Sequence, residues 1–189
     1  MRSRPPVMFE RLDSLEWQLC QRIALLSQRR LIYGLFRFCS RLGDWPAWVA
    51  LALMQPIIYG RAGWHLTLLW GLCAAVGALF YRLIKTRLCR ERPYITFSSI
   101  PCTMPPVDRY SFPSGHTLHA IMFSTFTAAT SPWLLVVVLP LTVLIAASRV
   151  ILGLHYLSDV IAGAILGFAI AQMGLYWGAT YGQWFPAFD

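Results

Sequence analysis

The chain has 189 residues, of which 57% are hydrophobic and 13% charged, and its mean hydropathy is +0.55. This composition excludes an ordinary soluble domain and predicts a polytopic membrane protein with one domain over residues 1–189. The formal net charge is +8, but the basic residues are scattered over an N-terminal arm and one internal loop, which excludes the basic face of a nucleic-acid-binding protein. Contact with membrane headgroups and an anionic substrate explain the positive charge instead.

The N-terminal arm, residues 1–44, is predicted to contain an amphipathic helix that lies in the membrane interface. Apolar residues recur at steps of three and four between 9 and 27, with charged residues elsewhere on the helical wheel. These apolar residues are Phe9, Leu12, Leu15, Leu19, Ile23 and Leu26. Residues 31–43 carry Arg37 and Arg41 and fit either a second interfacial helix or the start of a tilted span. The start of the arm has no apolar core before a cleavage site, so we expect no removable signal peptide.

Five apolar segments in the helical core, residues 45–178, are predicted to span the membrane. They are residues 46–59, 62–84, 116–130, 133–147 and 157–176. The first contains only 14 residues, short of the roughly 20 that a ~30 Å hydrocarbon core requires, so we expect it to borrow residues from Leu42 onward. Asp44 predicts its N-cap, with Pro46 just inside the helix. We therefore predict an all-α fold, a polytopic membrane helix bundle with about five or six transmembrane helices and an N-terminal amphipathic helix; the sixth would lie in residues 17–43.

Two further patterns concern helix packing and the loop between the second and third spans. Gly163 and Gly167 have the small-xxx-small spacing that lets a neighbouring helix approach closely. Residues 94–112 contain several prolines, which exclude a continuous helix and predict an ordered loop.

A polar cluster between Ser148 and Asp159 interrupts the apolar pattern and predicts a reactive centre. His155 and Asp159 are four residues apart, so on a helix the carboxylate can accept a ring N–H and fix the tautomer of the imidazole. The other ring nitrogen is then free to attack. Arg149 lies six residues before His155, roughly 240° around a continuous helix. The two side chains share a target only if the helix breaks, and we predict the break at Gly153.

Two other stretches offer groups that bind an anion. Lys85 and Arg92 are seven residues apart, on the same helical face, before Pro93 ends the helix. Residues 113–116, Pro-Ser-Gly-His, offer a glycine N–H at a predicted helix N-terminus. Together with Arg149, these groups suit an oxyanion with several negative oxygens, and phosphate is the natural candidate.

The motifs K-x6-R-P at 85–93, P-S-G-H at 113–116 and S-R-x5-H-x3-D at 148–159 resemble the three signature motifs of the type 2 phosphatidic acid phosphatase superfamily, the lipid phosphate phosphatases. The resemblance implies a membrane enzyme that hydrolyses a phosphomonoester or pyrophosphate on a lipid, with no metal or other cofactor. Undecaprenyl pyrophosphate, phosphatidylglycerol phosphate and phosphatidic acid are the candidate substrates. The expected partners are this substrate and the membrane lipids, with no nucleic acid; the oligomeric state is left open.

Every signature position matches, so the resemblance also implies roles for the site residues. His155 attacks the phosphorus to form a phosphohistidine, and Asp159 orients its ring and stabilises the imidazolium. His116 protonates the leaving oxygen and then activates water. The phosphate oxygens are held by Lys85, Arg92, Ser114, Gly115 and Arg149.

Residues outside the motifs receive structural interpretations. The arginines near Lys85, which are Arg82, Arg87 and Arg90, are interpreted as a solvated face towards lipid headgroups. The five cysteines show no C-x-x-C and no His/Cys metal spacing, so no metal site is predicted.

Two alternatives to a lipid phosphatase come from other classes of protein. Vanadium haloperoxidases share the three motifs, because vanadate resembles a phosphorus transition state, but they resemble larger soluble enzymes. A non-enzymatic membrane protein would use the basic site to bind lipids or anions.

We expect a multi-pass protein of the cell (inner) membrane, and two arguments disagree on the side that the site faces. Five spans put the arm and the motifs on one side, and the eight arginines before residue 44 place that side in the cytoplasm. By analogy with family members that act on isoprenyl or glycerol lipids, we expect a site that faces outward, periplasmic or extracellular. An outward loop would let Cys89 and Cys102 pair; two separate thiols are the alternative.

Overall fold

The computed structural model describes residues 7–101, 104 and 108–181. These residues form eight α-helices and no β-strand, apart from one isolated bridge between Glu91 and Tyr110. The helices are α1 (Val7–Ala24), α2 (Arg30–Leu42), α3 (Trp45–Tyr59), α4 (Arg61–Leu88), α5 (Pro93–Thr96), α6 (Gly115–Thr130), α7 (Leu135–Ile151) and α8 (Leu157–Tyr181). The predicted all-α membrane helix bundle is confirmed.

Among the residues that the structure describes, three segments are long and apolar enough to cross a membrane. They are Arg61–Leu88, Pro132–Ile151 and Leu157–Thr180. The other two predicted spans form the shorter helices α3, with 15 residues, and α6, with 16 residues. At 28 residues, α4 is about 42 Å long and exceeds the ~30 Å hydrocarbon core. Its last turn, which carries Lys85, therefore has the length to emerge from the hydrocarbon.

The core of the bundle lies around α6. The ring of Trp70 on α4 stacks on Phe126 with centroids 5.4 Å apart, and Trp48 on α3 stacks on Phe123 at 5.1 Å. These aromatic side chains are buried, so they fix α6 firmly between its neighbours. A helix held in this way gives its N-terminus, which carries the Pro-Ser-Gly-His motif, a defined position.

The two glycines of α8 lie directly against α6, as their spacing predicts. A Cβ atom at Gly163 would lie 2.4 Å from the carbonyl oxygen of Ser114, and one at Gly167 would lie 2.1 Å from that of Leu118. Neither contact leaves room for a side chain, since both neighbours are backbone atoms. The close approach brings the start of α8, which carries Asp159, against the start of α6, where the N–H of Ser114 donates to the carbonyl of Asp159 at 3.0 Å.

Several polar side chains of the N-terminal arm face the protein, and several of its large apolar side chains face away from it. In α1, Asp13 is buried whereas Leu15 is 78% exposed; in α2, Ser40 is buried whereas Leu31 and Phe38 are exposed. An apolar side that faces outward is what an interfacial helix presents to lipid. The arrangement agrees with the predicted interfacial arm, and it also gives the arm's polar residues an unexpected place beside the motifs.

Candidate active site

The helix break predicted at Gly153 is confirmed. Helix α7 ends two residues beyond Arg149, and α8 begins two residues beyond His155. Gly153 has a φ of +72°, in the left-handed region that favours glycine, and a Cβ there would lie 2.7 Å from the carbonyl oxygen of Pro101. The backbone N–H of His155 donates to the carbonyl of Arg149 at 3.0 Å. The turn therefore folds back on the end of α7 and brings both side chains to one end of the bundle.

His155 is buried with its two ring nitrogens in different surroundings. Nδ1 lies 3.3 Å from Oδ2 of Asp159, which also accepts the backbone N–H of Tyr156 at 3.0 Å. Nε2 lies 3.4 Å from Nη1 of Arg92. Burial, followed by the positive charges of Arg92 and Arg149, holds the pKa of His155 well below its ordinary value. The result is a neutral imidazole whose Nε2 points towards the cations, as a nucleophile that attacks a phosphoryl group requires.

Lys85 and Arg92 are buried and already share an anion within the chain. Asp108, in the loop before the second motif, accepts from Nζ of Lys85 at 2.7 Å and from Nη2 of Arg92 at 2.6 Å. Burial alone would raise the pKa of Asp108, but these two cations outweigh burial and hold that pKa below its ordinary value. The two cations are thus spaced to hold two oxygens of one oxyanion. Asp108 was not predicted from the sequence, where the loop showed only its prolines.

The third predicted cation, Arg149, has a free donor. Its Nη1 donates to the hydroxyl of Ser40 on α2. Within the described part of the chain, its buried Nε has no hydrogen-bond partner. A buried guanidinium N–H without a partner is costly, and an oxyanion would satisfy it.

The second motif forms the N-terminus of α6, as predicted. Ser114 is the N-cap residue, and its buried hydroxyl accepts weakly from the backbone N–H of Thr117 at 3.4 Å. Gly115 is the first helical residue and packs against the ring of Tyr81, since a Cβ there would lie 3.4 Å from that ring. The hydroxyl oxygen of Ser114 is therefore engaged in the cap, so backbone N–H groups at the start of α6 are the motif's main hydrogen-bond donors to an anion.

The predicted site residues act on one another in a single electrostatic cluster. The charges that act on the His155 ring come from Arg92, Arg149, Lys85 and His116. All three motifs thus meet around His155. Within residues 7–101, 104 and 108–181, no group of three or more His, Cys, Asp or Glu side chains is placed to hold a metal ion.

Arg90 corrects one interpretation made from the sequence. Arg82 and Arg87 are exposed, but Arg90 is fully buried. The reason is that α4 ends at Leu88 and Cys89 adopts a left-handed conformation with φ of 49°, so Arg90 leaves the helical face of the other two arginines.

The buried Arg90 connects the arm to the carboxylate of Asp159. Its Nη1 donates to Oδ1 of Asp159 at 2.6 Å, and its Nη2 donates to Asp13 on α1 at 2.7 Å. The guanidinium also lies over the ring of Tyr156, 4.1 Å from its centroid. Arg90 therefore holds Asp159 from the side opposite His155.

The arm contributes further partners that sequence reasoning missed. Glu16 accepts from the backbone N–H of Ser158 at 3.1 Å, and Asp44 lies 2.9 Å from the ring of His116. The only sequence signal was a set of acidic residues within the arm, which fits a solvated helix face equally well. Of the two cysteines considered as a pair, Cys89 and Cys102, the second lies outside the described residues, so a disulfide and two separate thiols both stay open.

Comparisons with known proteins agree with this geometry. The family model described as "PAP2 superfamily" matches residues 64–183. The chain is 28% identical over 142 residues to the undecaprenyl-diphosphatase of Sulfolobus acidocaldarius, covering 75% of this chain and 68% of that protein. It is 34% identical over 136 residues to the decaprenylphosphoryl-5-phosphoribose phosphatase of Mycolicibacterium smegmatis, covering 67% of this chain and 68% of that one.

A solved structure shares the fold. The crystal structure of a transmembrane PAP2 type phosphatidylglycerolphosphate phosphatase from Bacillus subtilis superposes with a TM-score of 0.71 at 21% identity, covering 94% of this chain and 89% of that one. The family model, the curated relatives and the fold all agree with the resemblance of the three motifs. The chain therefore belongs to the PAP2 superfamily and is a membrane phosphatase.

Proposed function

We propose that the protein hydrolyses a phosphomonoester or pyrophosphate on a membrane lipid through a phosphohistidine intermediate, without a metal ion. The observation that carries this proposal is the arrangement of His155. Its Nδ1 faces the carboxylate of Asp159 and its Nε2 faces the guanidinium of Arg92. A neutral nucleophile aimed at a cluster of cations suits attack on a phosphoryl group.

In the first half of the reaction, Nε2 of His155 forms a bond to phosphorus as the bond from phosphorus to the leaving oxygen breaks. The leaving oxygen takes the electron pair of that bond and a proton from His116. Asp159 stabilises the positive charge that develops on the His155 ring. The charge on the transferring oxygens is balanced by the cations Lys85, Arg92 and Arg149, by the backbone N–H of Gly115 and by the hydroxyl of Ser114, whose O–H can donate while its oxygen accepts in the cap.

In the second half, water replaces the histidine. His116, now neutral, accepts a proton from water as the water oxygen bonds to phosphorus. The bond between phosphorus and Nε2 of His155 breaks, which returns a neutral imidazole and releases phosphate. The three fixed cations supply the charge neutralisation that magnesium provides in many phosphoryl-transfer enzymes. In the structure, Lys85 and Arg92 form ion pairs with Asp108. The substrate phosphate therefore replaces Asp108 in these contacts.

The substrate is proposed to be a lipid, with undecaprenyl pyrophosphate or phosphatidylglycerol phosphate ahead of phosphatidic acid. The curated relatives are named for polyprenyl-linked substrates and the solved structure for phosphatidylglycerolphosphate. The site lies at one end of membrane-length helices, where a lipid headgroup arrives by diffusion within the bilayer.

Phosphate release from the purified protein tests this function and its metal independence. We expect release from at least one of the three lipid phosphates, unchanged by EDTA and inhibited by vanadate, because vanadate takes the place of the transferring phosphoryl group. A His155→Ala sample, prepared in parallel, controls for contaminating phosphatases. Loss of activity in EDTA that magnesium restores would overturn metal independence, and no release from any lipid would overturn the proposed function.

We further propose that the protein is a multi-pass protein of the cell (inner) membrane with its site facing outward, by analogy with relatives that act on isoprenyl and glycerol lipids. We expect an impermeant maleimide to label Cys89 in intact cells, before or after reduction. Cys89→Ser is the matched control, because it removes this thiol and leaves the others. Labelling of Cys89 only after permeabilisation would place the site inside.

A further inference from the structure

The second catalytic histidine, His116, has a carboxylate partner outside the three motifs. Its Nε2 lies 2.9 Å from Oδ1 of Asp44, in the turn between α2 and α3. Asp44 precedes the segment that the family model matches. The side chain of Asp44 is 44% exposed and that of His116 is 19% exposed, so the carboxylate keeps enough water to stay ionised while the ring is largely enclosed.

Asp44 is available for this contact because the helix that it starts does not use it. Asp44 occupies the N-cap position of α3 with extended backbone angles, as predicted, but its side chain makes no capping hydrogen bond. An N-cap carboxylate ordinarily accepts the N–H of the second or third helical residue. Here the second residue is Pro46, which has no N–H. The carboxylate turns to His116 instead.

The turn that carries Asp44 is fixed against the ring of His116. A Cβ at Gly43 would lie 3.0 Å from Cδ2 of His116 and 2.9 Å from a methyl carbon of Ile145, so only glycine permits this approach. The indole N–H of Trp48 donates to the carbonyl of Gly43 at 3.0 Å. Since Trp48 is buried and stacked on α6, the helix that carries His116 also holds the turn that carries its partner.

We propose that Asp44 is a positioning residue for His116, so that both catalytic histidines work with an aspartate. The carboxylate accepts a hydrogen bond from the Nε2–H group of His116. This leaves Nδ1 as the atom that exchanges a proton with the leaving group and then with water. It also stabilises the protonated ring that the first half of the reaction needs. This inference rests on the proposed function of His116 as acid and base.

The charges around His116 explain why such a partner is needed. Burial and the positive charges of Arg149 and His119 disfavour the protonated form of the His116 ring. The hydrogen bond to Asp44 and the negative charge of Asp44 oppose these effects. The hydrogen bond with His116 in turn holds the pKa of Asp44 below its ordinary value. The pair is therefore coupled in both directions.

The test is the pH profile and leaving-group dependence of Asp44→Asn, which keeps the shape of the side chain and removes its charge. We expect kcat on a lipid phosphate with a poor alkoxide leaving group to fall about 10- to 100-fold, less than the 10²–10⁴ that general acid–base catalysis contributes. The alkaline limb of the profile should move to lower pH, since the ring loses its proton more easily. Phosphoenzyme formation from p-nitrophenyl phosphate, whose leaving group needs no proton, should change little.

Two controls separate positioning from folding. Glu10→Gln makes the same chemical change at an exposed site on α1 and should leave the profile unchanged. In a His116→Ala background, Asp44→Asn should have no further effect on kcat, because Asp44 acts on the reaction only through the ring of His116. An Asp44→Asn enzyme with the wild-type profile, or one that loses activity equally on both substrates and in both backgrounds, would overturn the inference. A wild-type protein that hydrolyses no lipid phosphate would instead overturn the proposed function.

Discussion

Replacement of His155 by alanine is expected to abolish turnover, with a loss of roughly 10⁴-fold or more in kcat, because it removes the proposed nucleophile. His116→Ala should behave differently. It removes the acid and base but leaves the nucleophile, so some phosphoenzyme should still form from a substrate with a good leaving group. Asp159→Asn should fall between the two, since the ring stays in place and loses the stabilisation of its positive charge.

Phosphate release and acid-quenched trapping of labelled enzyme measure the two halves of the reaction separately. His65→Ala is the matched control: His65 is exposed and lies near the start of α4, about 30 Å along the helix from Lys85. It should retain wild-type activity. A His155→Ala enzyme with near wild-type kcat would show that the nucleophile is another group.

Arg90→Met should cause the largest loss of stability among single substitutions near the site. Methionine keeps the length of the side chain but leaves the buried carboxylates of Asp13 and Asp159 without their shared partner. Breaking a buried ion pair on one side costs about 3–5 kcal/mol in free energy of unfolding. We also expect kcat to fall on the order of 10²-fold, since Asp159 no longer holds His155 in position.

Thermal unfolding in detergent and kcat measured on the same samples test this expectation. Arg87→Met is the matched control, because Arg87 is exposed three residues earlier and makes no buried contact. Arg90→Lys should rescue little, as a single ammonium does not reach both α1 and α8 in the way that a guanidinium fork does. Equal stability of Arg90→Met and Arg87→Met would show that the buried network contributes nothing.

Much of this site was predictable because its groups follow local rules. The four-residue spacing of His155 and Asp159 brings their side chains together, although His155 lies just before α8. Gly153 marks the break by the conformation that it allows, and the glycines of α8 indicate a close helix contact. Each of these signals lies within a few residues of the chain. Whether each apolar segment spans the membrane was harder to predict, since α3 and α6 are apolar but shorter than a membrane-crossing helix.

The partners of the motif residues were not predictable for a physical reason. Arg90 was interpreted as solvated because it follows two exposed arginines, yet one left-handed residue at Cys89 redirects it into the protein. Asp13 and Asp44 lie in a segment whose periodicity predicts only which side meets lipid. An ion pair across 77 residues, as between Asp13 and Arg90, leaves no pattern in the intervening sequence. The helices of the arm therefore face lipid on one side and contact the residues of the candidate site on the other.

The contacts of the arm constrain the order in which the described site can assemble during biosynthesis. Helix α1 is made first, but Arg90 follows Asp13 by 77 residues and Ser158 follows Glu16 by 142. Since chains are synthesised from the N-terminus, the contact of Asp13 with Arg90 can form only after α4 has been made, and that of Glu16 with Ser158 only after the start of α8 has been made. The network that joins α1, Arg90 and Asp159 is therefore complete only once the chain has been synthesised as far as α8. The contacts between α1 and α8 are thus among the later contacts of the described fold to form.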